Sequence, residues 1–105
     1  MTCTTRFYTY NCNFVEMTPI ACSNLLDFLY PKLEEMDFET AVGLEVGYNC
    51  NTWGLRDLPQ NPKQYMQAYH WIIEACDEID SLTPYKDALN KALMADPRFQ
   101  HKQAA

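Results

Sequence analysis

Ala41-Val42-Gly43-Leu44-Glu45-Val46-Gly47-Tyr48-Asn49-Cys50 is the stretch on which the fold of this chain turns. Val42, Leu44, Val46 and Tyr48 occupy every second position, with Gly43, Glu45 and Gly47 between them. Such alternation predicts a strand with one buried face and one open face. Thr4–Tyr10 predicts a second strand, because every residue in it except Arg6 is β-branched or aromatic. Asn11–Met17 reads as a loop. If a helix joins the two strands, the simplest topology is a parallel pair with a right-handed crossover. An antiparallel pairing stays open, since Pro31 and the loops leave slack.

Both predicted strands close on the same tetrapeptide, Tyr-Asn-Cys-Asn, at Tyr10–Asn13 and Tyr48–Asn51. The repeat suggests two related strand–loop–helix units, with Cys12 and Cys50 at one end of the sheet.

Three helix starts carry a capping residue followed by proline: Thr18-Pro19, Asn61-Pro62 and Thr83-Pro84. After the first, Ile20, Cys22, Leu25, Leu26, Leu29, Leu33 and Met36 recur at helical spacing, with Pro31 predicted to kink or restart the helix. After the second, Tyr65, Tyr69, Ile72, Cys76 and Ile79 form an inward stripe, and Lys63, Gln67, His70, Glu74 and Asp77 a wet one. After the third, Tyr85, Ala88, Leu89, Ala92 and Leu93 make a shorter apolar face. The expected fold is a small single α+β domain in the order β-α-β-α-α. Two or three strands carry helices packed on one face, and a short strand near Asn51–Leu55 is a candidate third. The domain is expected to cover residues 1–97, with 98–105 a polar, frayed tail.

At 105 residues the chain is long enough to bury a core without metal or disulfide staples. Its composition, 48% hydrophobic and 21% charged, is that of a globular protein. Three glycines argue against a glycine-loop nucleotide site. The net charge is −6. Residues 1–85 hold four Lys/Arg against twelve Asp/Glu, while Lys86, Lys91, Arg98 and Lys102 outnumber Asp87 and Asp96 beyond them. An acidic body disfavours direct nucleic-acid binding, which cations drive. It suits a partner protein with a basic surface. Five cysteines without a close pair read as free thiols in a reducing compartment. No segment resembles a signal peptide or reaches the roughly 18 apolar residues that would span a bilayer. The expectation is therefore a cytoplasmic protein with no membrane association.

Four constellations could carry function. Cys12 and Cys50 would serve as nucleophile, redox pair or half a metal site, but no base is placed beside them and the spacings are not those of a zinc site. Asn-mediated turns with Cys filling the core edge account for the repeat more simply. The loop Trp53–Asp57 offers Trp53, Arg56 and Asp57, with Trp and Arg both frequent at binding hot spots. A tryptophan folded over the core is the competing reading. Two acidic groups, Glu34, Glu35, Asp37 and Glu39 and then Glu74, Asp77, Glu78 and Asp80, sit near predicted helix ends. They would occupy a basic groove as a phosphate mimic, or simply be solvated. Arg6, Phe7, Tyr8 and Tyr10 would stack bases only in a basic surround, which is lacking.

The sequence therefore leads to a non-enzymatic acidic interaction protein, with no catalytic residue, cofactor or metal assigned. It would inhibit or modulate a nucleic-acid-handling complex, as accessory proteins of phages and mobile elements do. Partner-binding residues would be Trp53, Arg56, Asp57, Glu34, Glu35, Asp37, Glu74, Asp77 and Glu78. The alternatives are a thiol-dependent enzyme or redox protein using Cys12 and Cys50, and a homodimeric structural subunit.

Overall fold

Thr18 and Pro19 open the first helix as their chemistry dictates: the Thr18 hydroxyl accepts the Ala21 N–H at 3.2 Å. The computed structural model describes residues 5–9, 13–49, 53–55 and 59–100. They form β1 (Thr5–Tyr8), β2 (Phe14–Met17), α1 (Pro19–Met36), α2 (Phe38–Asn49), α3 (Pro62–Glu78), a 3-10 turn (Thr83–Tyr85) and α4 (Lys86–Met94). This is a small single α+β domain. Among the described residues a strand comes first, helices come last and two strands build the sheet, within the two or three expected, but the second strand is not where the alternation placed it.

Ala41–Cys50 is the principal correction. Phe38–Asn49 is helical, and Asp37 is the reason. Its extended backbone ends α1, with its N–H donating to the Leu33 carbonyl at 2.7 Å. Its own carbonyl then accepts the Ala41 N–H at 3.1 Å, the first bond of the next helix. Its carboxylate accepts a hydrogen bond from the Thr40 hydroxyl at 2.6 Å. One aspartate thus ends one helix and begins another. The helix buries Thr40, Ala41 and Leu44, with Tyr48 packed against the same core. Burying Leu44 alone contributes about 2 kcal/mol. Tertiary packing overrides the strand preference of Val42 and Val46.

The second strand lies in the stretch read as a loop. Phe14–Met17 pairs antiparallel with β1, in the register Thr5↔Met17, Arg6↔Glu16, Phe7↔Val15 and Tyr8↔Phe14. The sheet is thus a hairpin, not a parallel crossover. Phe7, Val15 and Met17 face the core. Arg6 and Glu16 lie opposite each other on the outer face at 3.7 Å, and the Arg6 guanidinium sits 4.5 Å from the Phe14 ring centroid.

The expected third strand survives as a single parallel bridge between Tyr8 and Gly54. Tyr8 N–H donates to the Trp53 carbonyl at 2.9 Å, and Leu55 N–H donates to the Tyr8 carbonyl at 3.2 Å. The two tetrapeptides do not mark equivalent strand ends, because Tyr48 and Asn49 belong to a helix. Cys12 and Cys50 lie outside the described residues.

The remaining helices follow their sequence signals. Pro31 is accommodated on the exposed side of an 18-residue α1. Asn61 caps α3 by accepting the Lys63 N–H at 2.8 Å. The α3 wet stripe Lys63, Gln67, His70, Glu74 and Asp77 is exposed, while Tyr65, Ile72 and Cys76 are buried. Thr83 opens a 3-10 turn before α4 and donates its hydroxyl to the Cys76 carbonyl at 2.8 Å.

Of the expected tail, residues 98–100 are described, and they are packed. Arg98 bonds the Asp96 carboxylate and the carbonyls of Leu55 and Pro59, and Phe99 packs edge-on against Tyr69. No helix among the described residues is long and apolar enough to cross a membrane.

Candidate protein-docking face

Trp53 is fully buried. Its indole meets Phe7 and Tyr48 edge-on, at centroid distances of 4.9 and 5.3 Å. It is a core residue and presents nothing to a partner, which corrects its assignment as a binding residue. Among the described residues its Nε1 finds no oxygen or nitrogen acceptor. Burial pushes the neighbouring Cys22 thiol up to about 11, against smaller opposing effects of Trp53 and Thr5. Arg56 and Asp57 lie outside the described residues.

The structure separates the two acidic groups. Asn24 Nδ2 donates to Ser81 Oγ at 2.8 Å, and Gln64 Nε2 donates to the Met36 carbonyl at 3.5 Å. α1 and α3 therefore run antiparallel, with the end of α1 beside the start of α3. Since α3 has 17 residues and is about 25 Å long, the groups around Glu34 and Glu78 stand at opposite ends of the pair.

Around Glu78 the charge is partly answered. Asp77 meets Lys86 at 2.6 Å. Glu78 has its pKa raised, first by a hydrogen bond with Glu74 and then by burial and further carboxylate charge, with Lys32 opposing. Lys32 also folds over the Phe28 ring at 4.6 Å.

Around Glu34 the charge is concentrated. Residues 19–49 hold six carboxylates and one lysine, Lys32. Asp37 is withdrawn into its capping role, while Glu34, Glu35, Glu39 and Glu45 are exposed. The Tyr30 hydroxyl registers both helices: burial raises its pKa, and Glu45 and then Glu34 raise it further. Glu34 and Glu35 lie in the last turn of α1, the unfavourable end of its dipole for a carboxylate. The sharp turn at Asp37 also places Glu39 in the first turn of α2, where a carboxylate is stabilised.

Between these carboxylates runs an apolar ridge that the strand reading concealed. Phe38, Val42 and Val46 are 61%, 37% and 56% exposed. Spaced by four residues, they share one face of α2, with Glu45 on one side and Glu39 on the other. The signal was present in the sequence. Ala41, Leu44 and Tyr48 form one helical stripe and Phe38, Val42 and Val46 another, so α2 is apolar on two faces and looks alternating when read as a strand.

Elsewhere, an open cavity of about 520 Å³ lies between β2 and α4, lined by residues including Phe14, Val15, Tyr85, Lys91 and Ala92. Cys22 and Cys76 are free and buried, and burial also raises the Cys76 thiol to about 11. Neither is an activated nucleophile. Among the described residues no group of three or more His, Cys, Asp or Glu is placed to hold a metal ion. No known family model, curated protein or solved structure matches the chain.

Proposed function

We propose that this chain is a non-enzymatic acidic interaction protein that binds a basic surface of another protein through the corner between α1 and α2. The observation that carries this reading is the set of exposed carboxylates on either side of the turn at Asp37, Glu34 and Glu35 in the last turn of α1 and Glu39 and Glu45 on α2. Like charges held on packed helices raise the negative potential over the corner and speed encounter with a cationic partner. Glu74, Asp77 and Glu78 form a separate, partly neutralised patch at the far end of α3 and contribute less.

Proteins that handle nucleic acid supply such cationic surfaces, because they hold phosphates with Lys and Arg. Carboxylates on a rigid corner would occupy such a groove in place of phosphates, making the chain an inhibitor or modulator of that complex. The buried, unpaired thiols of Cys22 and Cys76 support a reducing compartment, and hence a cytoplasmic location.

The test is capture of the partner from the native host, followed by binding of the purified partner across a salt series. Glu34→Lys with Glu35→Lys lowers affinity by about tenfold or more and flattens the salt dependence. Unchanged affinity in that variant removes the electrostatic basis of the reading.

A further inference from the structure

We infer that the outer face of α2 is a docking ridge for an amphipathic helix that carries Lys or Arg on both sides of an apolar stripe. This rests on the acidic-interaction reading and specifies its partner.

Three observations support it. First, α2 is apolar on both sides, and a helix of that kind is ordinarily buried all round. Here only the side bearing Ala41, Leu44 and Tyr48 is covered, while Phe38, Val42 and Val46 are not. Second, the exposed residues stand four apart along a 12-residue helix. They form a straight ridge about 12 Å long, the element that interdigitates with the grooves of a second helix. Gly43, beside Val42 and exposed, adds no side chain to hold that helix away. Third, Glu39 and Glu45 line the two flanks, so the complementary surface is apolar in the middle and cationic on both sides.

The same charges argue against a second copy of the chain. A two-fold pairing of α2 with itself would bring Glu39 and Glu45 against their own counterparts, between molecules of net charge −6. An anionic membrane surface is disfavoured for the same reason.

The experiment uses the full chain and three synthetic peptides of about 18 residues, long enough to be helical on binding. One has a leucine stripe flanked by lysines. The second has the same composition shuffled to break the stripe. The third keeps the stripe but flanks it with glutamates. Binding is followed by fluorescence anisotropy, sedimentation reports self-association, and circular dichroism checks that variants remain folded.

The lysine-flanked stripe should bind at least about tenfold more tightly than either control. Phe38→Ser with Val46→Ser should abolish that advantage, and Glu39→Lys with Glu45→Lys should weaken binding about tenfold. Equal binding of the striped and shuffled peptides overturns the ridge while leaving electrostatic docking at Glu34 and Glu35 standing. Equal binding of the glutamate-flanked stripe overturns the cationic specification. Self-association that disappears in Phe38→Ser with Val46→Ser assigns the ridge to a second copy and overturns the proposal, as does failure of all three peptides to bind.

Discussion

The Arg98 guanidinium meets the Asp96 carboxylate at 2.6 Å, with Asp96 only 2% exposed. Arg98 also donates to the carbonyls of Leu55 and Pro59, and its guanidinium carbon lies 4.3 Å from the Tyr65 ring centroid. One side chain thus ties the segment after α4 to Leu55 and Pro59, between the strand bridge and α3. Arg98→Ala takes the cationic partner from a buried carboxylate, which keeps the residue-98 N–H, and the donor from two carbonyls. It should destabilise the fold by about 3 kcal/mol, read as a lowered urea midpoint. Arg98→Lys keeps the charge but loses the fork, and should fall between the two.

Gly54 closes the bridge to β1 at a φ of +151°, and a Cβ there would stand 2.0 Å from the Tyr8 carbonyl oxygen. Gly54→Ala must therefore push Trp53 and Leu55 away from β1. A loss of at least about 2 kcal/mol is expected in equilibrium unfolding. A variant as stable as the parent would contradict the close approach.

Gly43 is exposed in the interior of α2. Gly43→Ala removes backbone freedom from the unfolded chain and favours helix, so it should stabilise by about 0.5–1 kcal/mol. A rise in thermal midpoint checks this directly, and a fall would count against a helical α2.

Burial raises the Cys22 and Cys76 thiols from 9.0 to about 11. Both should react slowly with a thiol reagent at neutral pH and rapidly once the protein is unfolded. Their folded values exceed the unfolded one. Their contribution to stability is therefore complete below about pH 9 and is lost as pH rises through about 11. Cys22→Ser and Cys76→Ser, compared with the parent in unfolding at pH 8 and pH 10.5, should show a weaker alkaline loss.

Much of the fold was legible because it is written locally. Asn61-Pro62 and Thr18-Pro19 set the starts of α3 and α1 through their own side chains and fixed φ, and the α3 stripe divides cleanly into wet and buried positions. The failure at Ala41–Cys50 has a definite cause. Two apolar helical stripes superposed on one segment imitate the period of a strand, and only contact with α1 shows which stripe is buried. The four residues Phe14–Met17 were too short to declare themselves as a strand without β1 beside them. Three residues of the candidate face, Glu34, Glu35 and Glu39, were visible as charge, whereas the ridge that Phe38 forms with Val42 and Val46, and Glu45 beside it, was hidden by the strand reading of Ala41–Cys50. Trp53 carried the composition of a binding residue, and packing against Phe7 and Tyr48 made it core.

The acidic balance, the starts of α1 and α3 and the α+β class are set locally in the sequence, because charge, capping and periodicity act over a few residues. Tertiary structure alone decided that Asp37 links two helices, that Trp53 turns inward and that Phe38, Val42 and Val46 remain outside. Each of those outcomes depends on which surface another element covers, and burial is a property of neighbours distant in the chain.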